Sequence, residues 1–194
     1  MSKTMHSRKT AARTLPKCPT GIQGLDEITG GGVPRGRPTL VCGSAGCGKT
    51  LLALEFIIHG ASQFDEPGVI LTFEETAEEL TQNVASLGFD LDKLVEQKKL
   101  AVDHVHVERH EIEETGEYDL EALFIRLGYA IDSIGAKRVV LDTLETLFAS
   151  ARGGFAGHTL SEYYDRFVAA EPLVGAETSP LTGVDHAVVR SATI

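Results

Sequence analysis

Residues 38–50 read Pro-Thr-Leu-Val-Cys-Gly-Ser-Ala-Gly-Cys-Gly-Lys-Thr, and the fold of the chain is decided there. A short apolar run, Leu40 to Cys42, feeds a glycine-rich loop from Gly43 to Gly48. Lys49 and Thr50 then open a segment to His59 with the spacing of an amphipathic helix. Gly43-x-x-x-x-Gly48-Lys49-Thr50 is the phosphate-binding P-loop pattern, in the strand–loop–helix setting that the pattern requires. Its glycines let the backbone N–H groups of Gly43, Ser44, Ala45, Gly46, Cys47 and Gly48 curl into an anion-binding nest, to which the helix N-terminus adds partial positive charge. Lys49 is placed to reach the β- and γ-phosphates and the Thr50 hydroxyl to ligate Mg²⁺. The competing reading, a glycine-rich turn that happens to precede a lysine, leaves four fixed positions and their context to coincidence. The chain is expected to bind a nucleoside triphosphate, or to descend from one that did.

Downstream of the loop, His59-Gly60 offers a cation and a C-cap, so the first helix is expected to stop there. Val69 to Phe73 is a compact apolar run suited to a buried strand, and it ends in Glu74-Glu75. Thr76-x-x-Glu79 is a capping box, followed by Ala77, Leu80, Val84 and Leu87 at helical spacing and by Gly88 as a stop. Leu91 to Val95 reads as one further helical turn. Leu100 to Val107 alternates like a strand, with His104 and His106 on one face. Together with Glu108 and His110 they invite a metal reading. The absence of cysteine and of defined ligand spacing favours a strand running into an exposed loop, Glu108 to Asp119. Asp119 is a candidate N-cap for a stripe of Leu120, Leu123, Phe124, Leu127, Ile131 and Ile134, which Gly135 ends. Lys137 to Leu141 is then a strand that delivers Asp142 at its carboxyl end.

Strand and helix thus alternate four times between residues 38 and 142, which predicts an α/β fold with a parallel sheet covered by helices. Ligands of such sheets bind at the carboxyl ends of the strands. The P-loop, Glu74-Glu75 and Asp142 would all fall on that edge. Upstream, residues 19–37 read as a short helix between glycine-rich turns.

Bulk properties agree with a nucleotide-handling domain. The 194 residues, 42% hydrophobic and 24% charged, fit one soluble domain of ordinary size. No apolar run approaches the roughly 20 residues of a membrane span, and Met1 to Lys17 lacks the hydrophobic stretch of a secretory signal, so cytoplasm is expected. Net charge is −10, yet the first 17 residues carry five positive charges and no acid, which leaves −15 for the rest. A chain so acidic is a poor general nucleic-acid binder. The basic leader, residues 1–17, reads as a solvated flexible tail that could touch an acidic partner. Cys18, Cys42 and Cys47, odd in number and without metal spacing, fit a reducing compartment. At Cys47 the helix N-terminus and Lys49 favour a thiolate, which opens redox control; the alternative is a small residue tolerated in the loop.

With these pieces placed, residues 19–148 resemble the ATPase core of KaiC, the cyanobacterial clock protein, and its relatives in the RecA superfamily of P-loop ATPases. The resemblance rests on Pro19-Thr20-Gly21-Ile22 with Gly24-Leu25-Asp26, the Gly31-Gly32 turn, and the P-loop. Further on it rests on Phe64 to Val69, Thr72-Phe73-Glu74-Glu75-Thr76, and Arg138 to Thr143. It implies a RecA-like α/β fold, with ATP and Mg²⁺ bound at a subunit interface of a hexameric ring. Glu74 and Glu75 would be the catalytic carboxylates that orient the attacking water or a phosphoacceptor hydroxyl. Asp142 would act on Mg²⁺ through its water shell beside Thr50. The resemblance also implies a serine/threonine autokinase activity and other clock or signalling proteins as partners.

The match stops near residue 148. In the family a fifth strand lies between the P-loop strand and the Asp142 strand, and later strands carry basic residues to the neighbouring subunit's ATP. Neither is legible here, so the C-terminal part of the fold is expected to be missing or replaced. Residues 149–194 read as an atypical tail, consistent with a shifted reading frame. Val184 to Val189 is its one segment of strand character. The tail is expected not to complete the sheet, and truncation after Ser150 to cost little stability. Three functions follow: a KaiC-type ATPase and hydrolase, a RecA- or RadA-type DNA-repair ATPase, or a non-catalytic nucleotide-binding interaction module. Net charge and Phe73-Glu74-Glu75-Thr76 favour the first.

Overall fold

Successive residues of the strand Gly68–Thr72 are buried without exception, which requires cover on both faces of the sheet it belongs to. The structure, a computed structural model, describes residues 15–106, 120–143 and 185–192, with residues 120, 121 and 185–192 described by backbone alone. A small antiparallel pair, β1 (Lys17–Cys18) and β2 (Val33–Pro34), flanks the short helix α1 (Leu25–Thr29). The main elements follow as β3 (Thr39–Ser44), α2 (Lys49–Gln63), β4 (Gly68–Thr72), α3 (Ala77–Ala85), α4 (Leu91–Glu96) and β5 (Leu100–His104). Last come α5 (Leu120–Ile134), β6 (Arg138–Asp142) and β7 (Asp185–Ala192). Five strands form one all-parallel sheet in the order β3-β7-β6-β4-β5.

The period of two along each strand divides the core. Val69 and Leu71 of β4 and Val139 and Leu141 of β6 pack with Leu123, Phe124, Leu127 and Ile131, the apolar stripe of α5. Ile70 and Val140 point the other way, into a second cluster with Ala53, Leu54 and Ile57 of α2, Leu80 and Val84 of α3, and Leu91 and Leu94 of α4. Each such side chain contributes about 1.5–3 kcal/mol on burial, so the two clusters hold the sheet between its helical layers. The predicted capping box forms: the Thr76 hydroxyl accepts from the Glu79 N–H, and the Glu79 carboxylate accepts from the Thr76 N–H. Gly135, at φ 63°, ends α5 as read. The proposed N-cap at Asp119 and the segment Glu108 to Asp119 lie outside the described residues.

Two expectations are corrected. The slot beside the P-loop strand is not left open: β7, from the tail, lies between β3 and β6. It pairs Thr39 to Ser44 with Ala187 to Ala192 on one side and Arg138 to Asp142 with Asp185 to Val189 on the other. A strand in that slot satisfies two rows of backbone groups that an empty slot would leave bare, which is reason enough for a tail segment to enter it. Second, His59-Gly60 does not end α2, which runs on to Gln63.

Gly60 has another cause. A Cβ at that position would lie 2.4 Å from Cδ of Arg138, so the missing side chain makes room for that arginine inside the core. Arg138 is fully buried. Its Nε and Nη2 donate to Glu66 Oε2 at 2.8 and 2.6 Å, Nη1 to the Phe56 carbonyl at 2.8 Å, and Nη2 to the Pro19 carbonyl at 2.9 Å. The guanidinium also lies 4.6 Å from the Phe56 ring centroid. A glycine read as a helix stop is thus a packing residue, and a strand arginine is the tie between β6, α2 and the N-terminal turn. That turn is itself pinned by Asp26, whose carboxylate accepts from the N–H groups of Thr20 and Gly21 and from the Thr20 hydroxyl.

Candidate nucleotide-binding site

The carboxyl ends of β3, β4 and β6 come to one edge of the sheet, and each carries a predicted site segment. At the first, the loop after Ser44 turns on Gly46 and Gly48, both at positive φ (74° and 88°), and Gly48 is the N-cap of α2, with no side-chain hydrogen bond capping the helix start. A helix start whose N–H groups are not taken by a side-chain cap leaves them for an anion. Lys49, only 8% exposed, folds back along the loop and donates from Nζ to the Ser44 carbonyl at 2.8 Å and to Cys47 Sγ at 3.7 Å. Neither acceptor is a carboxylate, so the ammonium stands in a pocket that suits a phosphate. Cys47 Sγ lies over Gly43, where a Cβ would approach it to 2.4 Å.

At the end of β6, Asp142 is 5% exposed and takes a hydrogen bond from the Thr50 hydroxyl. Burial pushes its carboxyl up to about 6, against the Thr50 hydrogen bond, and the nearby charges of Glu75 and Glu74 push the same way. Its Oδ1 is buried with no hydrogen-bond partner among the described residues. An orphaned carboxylate oxygen beside a threonine hydroxyl fits a divalent cation with its water shell, since the cation would supply both the missing donors and the missing positive charge. The Asp142–Thr143 peptide bond is cis.

Beyond β4 the chain makes a tight turn in which the Thr72 hydroxyl accepts from the Glu75 N–H and donates to the Glu75 carbonyl. The two carboxylates part company there. Glu74 Oε1 accepts from the Thr143 hydroxyl at 3.2 Å, next to Asp142, and Glu75 Oε1 accepts from Asn83 Nδ2 at 3.2 Å, from α3. An open cleft of about 480 Å³ lies between these groups, lined by Ala45, Gly46, Gly48, Lys49, Thr50, Glu74, Glu75, Asn83 and Thr143 among others. Its size is that of a small-molecule site. Of the predicted nucleotide residues, Gly43, Ser44, Cys47 and the buried Asp142 do not line the cleft. His104 and His106 lie at the end of β5 with ring centroids 6.5 Å apart, and Glu108 and His110 fall outside the described residues.

Sequence reasoning missed Thr143 and Asn83. Thr143 follows the Asp142 strand and was quoted only as part of the resemblance. Asn83 sits eight residues beyond Glu75, two helical turns along α3, which is a spacing that no local pattern marks as a contact. The turn that folds Glu75 back over the helix start creates it.

Among the described residues no helix is long and apolar enough to cross a membrane. The family described as "ATPase: KaiC" matches residues 18–170, beyond the boundary read near 148 and short of β7. Circadian clock protein KaiC2 of Synechocystis is 66% identical over 136 residues, covering 70% of this chain and 24% of that protein. Circadian clock oscillator protein KaiC of Synechococcus elongatus is 41% identical over 145 residues, covering 75% of this chain and 28% of its own length. The same protein of Picosynechococcus is 43% identical over 148 residues, 76% of this chain and 29% of its own. The chain spans about a quarter of the length of the curated relatives it matches. Matched over most of its residues, on a parallel sheet with a P-loop at its carboxyl edge, the chain belongs to the KaiC family of RecA-like P-loop ATPase domains.

Proposed function

We propose that this chain binds Mg·ATP in the cleft between the P-loop and Glu74-Glu75 and hydrolyses it. One observation carries the reading. Three segments far apart in sequence bring to one strand edge a phosphate nest with its lysine, a buried carboxylate paired with the P-loop threonine, and two further carboxylates across the cleft. The backbone N–H groups of residues 43 to 48 and Lys49 would hold the phosphates, and Thr50 with Asp142 would hold Mg²⁺. The metal, when bound, neutralises charge on the phosphate oxygens. Glu74 and Glu75 orient the attacking water, and a carboxylate there takes up its proton as the new P–O bond forms and ADP leaves. Residues 18–148 carry these groups, and residues 149–194 add the strand that joins the two halves of the sheet.

Family membership supports finer readings, which we include in the proposal: assembly into a ring hexamer with ATP at the subunit interface, serine/threonine autokinase activity, and a role with other clock or signalling proteins in the cytoplasm. The names of the relatives, all clock proteins, support the last of these.

Titration with a fluorescent ATP analogue, run beside a phosphate-release assay, tests the central claim. Mg²⁺-dependent binding with steady phosphate release is expected. Absence of binding would overturn the reading altogether, and binding without turnover would reduce the chain to a nucleotide-responsive interaction module.

A further inference from the structure

We infer that Asn83 is the positioning residue for Glu75; the inference rests on the hydrolytic reading above. Glu75 carries its two oxygens in different environments. Oε1 accepts from Asn83 Nδ2 at 3.2 Å, whereas Oε2 is buried with no hydrogen-bond partner among the described residues. A glutamate beside an open cleft has every reason to swing into water, because an unpartnered buried oxygen forfeits hydration and the side chain has three torsions free to move it. Something must hold it back, and the Asn83 amide is the donor in place.

Asn83 is suited to that task by its footing. Leu80 and Val84, on either side of it along α3, are completely buried, and the helix start is locked by the Thr76–Glu79 capping box. The asparagine itself is exposed and contributes nothing to the core, yet it lines the cleft. Its orientation is also determined: a carboxylate only accepts, so the amide nitrogen must face Glu75. Glu74, by contrast, is tied to Thr143 on the β6 side of the cleft. The turn at Thr72 fixes the backbone of Glu75, and Asn83 fixes its head. Asn83 thereby sets the orientation of the Glu75 carboxylate at the cleft, while Thr143 holds that of Glu74.

The experiment compares the full chain with Asn83→Ala and with Asn83→Asp, which keeps the shape and replaces the donor by an anion. Misplacing a reacting group by about 1 Å costs on the order of a hundredfold, so a loosened carboxylate should lower kcat by at least about tenfold in both variants. Binding of a fluorescent ATP analogue with Mg²⁺ should stay within about twofold, since binding relies on other groups. A packing role for Asn83 predicts instead that Asn83→Asp behaves as the parent, and that result would overturn the inference, as would an unchanged kcat in Asn83→Ala. The second readout needs no turnover: the Asn83 side-chain amide resonance should move in Glu75→Gln and stay in place in Glu74→Gln. An amide indifferent to Glu75→Gln sinks the positioning claim. If the parent chain releases no phosphate, the hydrolytic reading fails by that result alone, and the amide resonance still decides whether Asn83 holds Glu75.

Discussion

Replacing Arg138 by methionine should destabilise the chain by about 3–5 kcal/mol, the range observed when one partner of a buried ion pair is removed. The size follows from what is left behind. Methionine keeps most of the side-chain stem, so the hydrophobic contribution changes little. The Phe56 and Pro19 carbonyls, however, each lose a hydrogen bond from a charged donor, at a cost of about 1.5–3 kcal/mol apiece. Glu66 loses its two closest donors but keeps Arg35 at 3.2 Å and some contact with water, its side chain being 19% exposed, so it adds less than a fully enclosed carboxylate would. For a domain of this size each kcal/mol moves Tm by about 2–4 °C, and a drop of about 10 °C is expected in a thermal melt at pH 7. Acid supplies an independent check. Burial raises the Glu66 carboxyl, but the Arg138 hydrogen bonds and charge, with Arg35, outweigh it and hold the group below its ordinary 4.5. A lowered folded-state value means that the stabilisation is complete above 4.5 and is lost as pH falls through the folded value. The Tm difference between parent and Arg138→Met should therefore shrink below about pH 4.5. A variant melting within 2 °C of the parent at pH 7 (about one kcal/mol at most), or a gap that persists undiminished at pH 3, would refute this account.

Lys49→Ala should weaken binding of the ATP analogue about tenfold to a hundredfold, because hydrogen bonds to charged groups contribute about 1.5–3 kcal/mol; unchanged affinity in the titration would show that the loop is not a working phosphate site. Glu74→Gln combined with Glu75→Gln should leave binding within about threefold while phosphate release falls at least about a hundredfold, and parallel loss of both would make the pair structural. Deleting residues 184–194 should abolish the cooperative melt and promote self-association seen by light scattering, since β7 pairs along both sides. A truncated chain that melts like the parent would show that the sheet does not depend on this strand.

The elements of residues 38–142 were legible because each announces itself locally: a motif, a capping box, a stripe of period 3.6, a glycine stop. The candidate site was legible for the same reason, as its segments follow directly on the strands β3, β4 and β6. What stayed hidden depends on partners distant in sequence. Gly60 looks like a helix stop until the arginine that fills its space, 78 positions later, is in view. Asn83 looks like surface until the turn at Thr72 brings Glu75 over it. Val184 to Val189 was recognised as strand-like, yet its destination was misjudged, because a strand's own pattern says how it is buried and not between which neighbours.

The place of β7 has a consequence for how the molecule comes together. Thr39 and its neighbour Ala187 are separated by about 150 residues of chain, and closing contacts of such range is what makes folding slow. Until residues 185–192 are available, the P-loop strand β3 has no strand partner, and only the packing of α2 on β4 and β6 joins its side of the sheet to the rest. Any protein quality control that reads exposed strand edges therefore meets two of them, one on β3 and one on β6, for as long as that interval lasts.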